Sequence, residues 1–148
     1  MFTRFIAFLA IAITCGCHSP GPVATTPKGS LAVCWSANTS HGTKAWLEDC
    51  ERHFGKPVLL LMVHGGPDER GVWTIWPDPP RPRMTAEQAA WLLKDMAEGR
   101  EVVLISCNRA GSTLHVPGVW YSQNIVSSVP RWPRWDWDTR IGDFKRSR

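Results

Sequence analysis

Two runs decide how this chain is read. Pro57-Val-Leu-Leu-Leu-Met-Val63 leads into His64-Gly65-Gly66, and Glu101-Val-Val-Leu-Ile-Ser106 leads into Cys107-Asn108. Neither run alternates polar with apolar residues, so each predicts a strand covered on both faces, as in a parallel sheet. Between them, Thr85 stands three residues before Gln88, the spacing of a capping box. Ala86, Ala89, Ala90, Leu93 and Ala97 then recur at helical spacing, with Leu92 and Met96 broadening the stripe, up to a stop at Gly99. Strand, crossover helix and strand make a βαβ unit. Parallel neighbours would bring His64 and Cys107 to one sheet edge, the edge at which open α/β sheets place their sites.

Working outward, Leu31-Ala-Val-Cys-Trp35 predicts a short strand. A helix is expected from Gly42 or Thr43 to Phe54, because Trp46, Cys50 and Phe54 are spaced by four with Ala45 beside them. Gly55 is its expected stop. Residues 66–83, rich in Gly, Pro, Asp and Arg, read as an irregular loop carrying Trp73 and Trp76. Pro77-Asp-Pro-Pro-Arg-Pro82 within it reads as a polyproline-like surface segment. After Cys107 a loop leads to the Pro117-Gly118 turn, then to short strands at Val119–Tyr121 and Asn124–Val129. Residues 131–148 form a Trp- and Arg-rich tail, whose Trp132, Trp135 and Trp137 either cover the sheet or form an exposed patch.

The length of 148 residues bounds the chain to one domain, and 43% hydrophobic with 20% charged residues is the balance of a globular protein. A formal charge of +4 is too small to imply nucleic acid without a focused basic patch. The first residues are set apart. Arg4 precedes an apolar core, Phe5–Ile13, and Thr14-Cys15-Gly16-Cys17 follows, the layout of an export signal over residues 1–16. Gly16 before Cys17 also matches the end of a lipoprotein signal, making Cys17 the candidate lipid attachment. The apolar core falls short of the roughly 20 residues of a membrane span. The expected location is therefore outside the cytoplasm, periplasmic or in the cell envelope, with lipid-anchored membrane association. Residues 17–30, with three Pro and two Gly among 18–30, read as a flexible tether. In an oxidising compartment Cys34 and Cys50 are a candidate disulfide, the alternative being two buried thiols.

His64 and Cys107 are the candidate catalytic pair. A thiol nucleophile needs its thiolate fraction raised, and a neighbouring imidazole does this and returns the proton to a leaving group. Backbone N–H groups at Gly65 or Gly66 are candidates to stabilise an oxyanion. The plainer alternative is a small buried thiol and a turn after a core strand. His115, eight residues after Cys107, is a candidate accessory group. Cys50 and His53 share a helix face three residues apart but lack further ligands, so no metal is expected, and no cofactor.

These residues resemble the motifs of the caspase-like cysteine peptidases, the group containing caspases, legumains, gingipains and separase. The likeness rests on Leu59-Leu-Leu-Met-Val-His64-Gly65 and Val102-Val-Leu-Ile-Ser106-Cys107, and it spans about residues 31–129. It implies an α/β fold, a small three-layer sandwich with a mainly parallel sheet flanked by helices, in a domain over residues 31–130. It implies His64 as the catalytic histidine, Cys107 as the nucleophile, Gly65 as an oxyanion donor and a peptide or protein substrate. Asp68 falls where many members carry an acid. Ser106, Asn108 and Arg109 stand where the family often has small residues. Two other readings stay open. Val63-His64-Gly65-Gly66-Pro67 also resembles the oxyanion loop of α/β-hydrolases, although the glycines of a nucleophile elbow are missing around Cys107. The other is a non-catalytic interaction domain with a Trp-rich binding surface.

Overall fold

The computed structural model describes residues 24–36, 42–109, 111–124, 126 and 141–148, and the backbone of 128–131 and 134–137. The chain forms a small α/β domain of mixed strand topology. Its elements are β1 (Ala24–Thr25), β2 (Leu31–Cys34), α1 (Thr43–Phe54), β3 (Val58–Met62), β4 (His64–Pro67), β5 (Trp73–Trp76), β6 (Met84–Thr85), α2 (Ala86–Asp95), β7 (Glu101–Ile105), β8 (Val119–Tyr121), β9 (Ser128–Arg131), β10 (Arg134–Trp137), a 3-10 turn at Ile141–Asp143 and β11 (Lys145–Arg146). The main sheet runs β1-β2-β3-β7-β8-β11. Its four inner strands are parallel, and β1 and β11 add antiparallel edges.

The uninterrupted apolar runs have the predicted cause, because every residue of β3 and β7 is buried. Strand alternation sends Leu59, Leu61, Val102 and Leu104 to one face and Leu60, Met62, Val103 and Ile105 to the other. Helix α2 covers the first face with Ala86, Ala89, Ala90 and Leu93. Helix α1 covers the second with Trp46, Leu47 and Cys50, while Ala45 is exposed. The α2 stripe is narrower than expected, since Leu92 and Met96 are exposed. The start of α2 and the end of α1 follow the sequence signals, whereas α2 ends at Asp95, short of the stop expected at Gly99. Thr85 and Gln88 form the reciprocal capping box, and Gly55 in the left-handed region ends α1 with its N–H on the Glu51 carbonyl.

Several expectations are corrected. Residues 66–83 are not simply an irregular loop: β4, β5 and β6 form a second, antiparallel sheet, with Trp73 and Ile75 buried in the α2-side core. Asp78 to Arg81 is a turn closed by an N–H to carbonyl bond of 3.2 Å, in place of a polyproline segment. The expected tether already belongs to the sheet at Ala24–Thr25. The expected tail returns to the domain, for Ile141 and Phe144 enter the α1-side core and β11 pairs with β8. Trp132 lies outside the described residues, as do the side chains of Trp135 and Trp137. No helix among the described residues is long and apolar enough to cross a membrane. The leader at 1–16 and Cys17 lie outside the described residues.

Cys34 and Cys50 carry thiols on the α1 side of the sheet, not the disulfide considered from their sequence. The Cys34 thiol is turned to the Ser36 carbonyl, 3.1 Å away. Burial, reinforced by the charge of Asp49, pushes the Cys50 thiol up to about 12, so it stays protonated.

A buried polar chain ties α1 to the amino ends of the strands. The Glu51 carboxylate accepts hydrogen bonds from the hydroxyls of Ser30 and Thr26. Ser30 Oγ in turn accepts the Val58 N–H at 3.0 Å. The Ser30 and Thr26 bonds, with the charge of Lys28, outweigh burial and hold Glu51 below its ordinary 4.5. A carboxylate depressed on folding contributes stability above its unfolded value and loses it as pH falls through the folded one. Thermal unfolding from pH 7 to pH 3 should therefore show a loss of melting temperature below about pH 4.5 that is shallower in Glu51→Gln. Identical acid slopes in the two proteins would remove Glu51 from this role.

Candidate functional site

The site is built where β3 and β7 leave the sheet. Met62 pairs with Ile105, and the next N–H, from Val63, donates to the Ile105 carbonyl at 3.1 Å. His64 and Cys107 are each two residues beyond that last pair. Alternation gives them the α1 side of the sheet, and Val63 and Ser106 the α2 side. Val63 is indeed in the α2-side core. The Cys107 thiol donates to the Val126 carbonyl at 3.2 Å, and Val126 packs on the α1-side core. Both His64 and Cys107 are half-buried. The His64 N–H donates to Ser36 Oγ at 3.2 Å, and that hydroxyl donates to the Trp76 carbonyl at 3.1 Å. Ser36 thus ties the end of β2 to β4 and β5.

Gly65 and Gly66 serve packing. A β-carbon on Gly65 would stand 2.0 Å from Ser106 Oγ and 3.0 Å from the carbonyl oxygens of Cys107 and Thr74. Only a glycine lets β4 lie this close to the Cys107 backbone. A β-carbon on Gly66 would stand 2.7 Å from the Trp76 ring, so the indole fills the space a side chain would take. Around this edge Arg81 lies 4.8 Å over the Trp35 ring and Arg83 5.0 Å over that of Trp76.

The remaining candidates sit apart from the pair. Asp68 caps the β4–β5 turn, its carboxylate accepting the N–H groups of Arg70 and Val72 at 2.8 Å each. The Val72 bond, then the Arg70 N–H and charge, hold it below the usual carboxylate range. His115 is exposed, while its neighbours Leu114 and Val116 turn into the core. Cys50 is buried and His53 exposed, so their common helix does not bring them to one ligand position. No group of three or more metal-ligating side chains is found among the described residues. An irregular segment follows Cys107 in place of the helix that a nucleophile elbow requires.

The residue that sequence reading missed is Asn108. It is fully buried. Its amide donates to the carbonyls of Ser112 (2.8 Å) and Ser122 (3.2 Å), and its Oδ1 accepts the Ser112 N–H at 2.9 Å. Its own N–H donates to the Asn124 carbonyl at 3.1 Å. Asn108 therefore fixes both segments that follow Cys107. The available signal was an Asn at a strand end with a Gly three places on, a turn-forming pair.

No family model matches the chain, and no curated protein or solved structure is significantly similar to it. The likeness to caspase-like peptidases thus rests on the quoted motifs alone.

Gly65→Ala should lose about 1–3 kcal/mol by overpacking. Ser106→Ala removes a buried hydroxyl that has no hydrogen-bond partner among the described residues, so it should be neutral or stabilising. In a denaturation cycle the double variant should recover part of the Gly65→Ala loss, and strict additivity would contradict the contact. Asn108→Ala should cost about 2–4 kcal/mol, since it strips hydrogen bonds from one buried and two part-buried backbone groups. Proteolysis of the native protein should then cut within 109–124 faster than in the wild type.

Proposed function

We propose that the Cys107–His64 edge is a thiol-based hydrolytic site acting on a peptide or protein, borne on a caspase-like three-layer arrangement. The observation that carries this reading is the register: the Met62–Ile105 pair and the Val63–Ile105 bond lead two adjacent parallel strands out of the sheet in step. A thiol and an imidazole then follow at equivalent positions. In such a site Cys107 Sγ attacks the scissile carbonyl carbon. Its proton passes to His64, which returns it to the leaving amine, and water later cleaves the thioester. The carbonyl oxygen needs N–H donors as it gains charge, and the chain at Gly65 passes close to the Cys107 backbone. Helices on opposite faces of the sheet support the layered arrangement.

Alkylation by iodoacetamide, read by mass spectrometry, tests the pair without a substrate. Cys107 should be modified well before the buried Cys34 and Cys50 in the native protein. His64→Ala should slow its modification at neutral pH by about tenfold while leaving the melting temperature within a few degrees. A rate untouched by His64→Ala would sink the dyad.

A second reading, a partner-binding module, is favoured by the solvent face of α2. Trp91, Leu92 and Met96 are 52%, 45% and 44% exposed there, an apolar set of the kind that anchors interfaces.

A further inference from the structure

At the opposite, amino-terminal edge of the sheet lies an open cleft of about 870 Å³, which none of the chemistry above uses. It is lined by Lys94 from α2, Pro117, Gly118 and Trp120 at the start of β8, and the Lys145–Arg148 segment around β11. Four of these are cations, drawn from two separate elements, and none is an acid. The single neighbouring acid among the described residues that pairs with them, Glu101, stands behind the wall. It accepts the Trp120 indole N–H at 2.7 Å and lies 3.6 Å from Arg146 Nε.

Two of the cations are positioned. Lys94 Nζ donates to the Pro117 carbonyl at 2.6 Å, which fixes the ammonium and leaves its other N–H groups for a ligand. A β-carbon on Gly118 would stand 3.8 Å from Arg146 Nη2 and 3.9 Å from Lys94 Nζ. Both heads are therefore in reach of one oxyanion placed over Gly118, where no side chain stands. Lys and Arg on an edge strand ordinarily guard it against pairing with another chain. That explains Lys145 and Arg146, but not a lysine from another element clamped beside them. Gathering like charges costs stability unless an anion is there to meet them.

We propose that this cleft binds a small phosphorylated molecule. Lys94 and Arg146 take the phosphate, Lys145 strengthens the field, and Trp120 gives its organic part an apolar surface. The volume suits a small ligand. Two cationic heads converging over one point at Gly118 favour an oxyanion whose charges sit on a single centre over carboxylates spread along a chain.

Calorimetric titration of the full chain at low salt tests this, with phenyl phosphate, inorganic phosphate and citrate as probes. One phenyl phosphate should bind per chain, more tightly than inorganic phosphate, and citrate should bind at least fivefold more weakly than either. Lys94→Ala and Lys145→Ala should each weaken phenyl phosphate at least fivefold. Lys44→Ala, on the exposed side of α1, should leave it unchanged. The Lys145 side chain is exposed, so its variant separates loss of binding from loss of fold. Absence of saturable binding, citrate binding as tightly as the phosphates, or equal weakening by Lys44→Ala would each overturn the proposal.

Discussion

Burial of β3 and β7 on both faces is the constraint on which the rest of the structure depends. Five consecutive residues in each strand are shielded from water, and each large apolar side chain so buried contributes about 1.5–3 kcal/mol relative to exposure. Strands of this kind cannot stand at a sheet edge or leave a face open. Their backbone groups must be paired by parallel neighbours, and both faces must be covered. Helices α1 and α2 accordingly take opposite faces, and the short strands β1 and β11 close the two edges. Polar chemistry is confined to the strand ends, because nowhere along the strands can a side chain meet water.

How much was legible in the sequence follows from the same constraint. Long apolar runs and a capping box are local signals, so β2, β3, β7, α1 and the start of α2 were readable within a residue or two, while α2 ends at Asp95, before the expected stop at Gly99. The sheet formed by β4, β5 and β6 was not. Trp73-Thr-Ile-Trp76 is only four residues long, and β4 is His-Gly-Gly-Pro, which has no strand propensity of its own. That strand forms because glycine lets it lie against Ser106 and Cys107, a tertiary reason invisible to a local reading. The return of β11 to the sheet was hidden for a similar cause. Lys145 and Arg146 are exposed and look solvated, while the anchoring is done by Ile141, Phe144 and a hydrogen bond from the Ser147 hydroxyl to the Leu114 carbonyl. In the candidate site, positions 64 and 107 were legible from strand ends, but Asn108 was not. Its importance lies in partners 4 to 16 residues away, which one sequence does not reveal.

The tryptophans illustrate how a compositional oddity resolves into separate roles. Trp46 and Trp73 are core residues on opposite sides of the sheet. Trp76 fills the space over Gly66 and bonds Thr74 Oγ1 through its indole N–H at 2.8 Å. Trp35 closes the end of β2, where its carbonyl accepts the Asp78 N–H at 2.7 Å and holds the Pro-rich turn in place. Trp120 bonds Glu101 and packs on Phe54. Only Trp91, among those described, stands mainly in solvent. Small domains have little interior volume, and large flat side chains here seal the sheet ends that two short helices cannot reach.

The two ends of the sheet treat their polar groups differently, and the difference bears on function. At the amino end Glu101 is buried, which alone would raise its pKa, yet the Lys56 bond, the Trp120 indole and the charges of Lys56 and Arg146 hold it low. Glu51 is likewise fully engaged by Ser30 and Thr26. Both buried carboxylates at that end are therefore met. At the carboxyl end Ser106 Oγ and Trp73 Nε1 are buried with no hydrogen-bond partner among the described residues. An unmet buried polar group costs about 1–3 kcal/mol, and proteins tolerate such costs mainly where another requirement outweighs them. Here the requirement is close approach. Gly65 must press onto Ser106 and the Cys107 carbonyl for β4 to turn out of the sheet, and that contact leaves no room for a partner to the hydroxyl. Local stability is given up at the end of the sheet that carries the thiol and the imidazole, whereas the buried carboxylates at the other end are fully met.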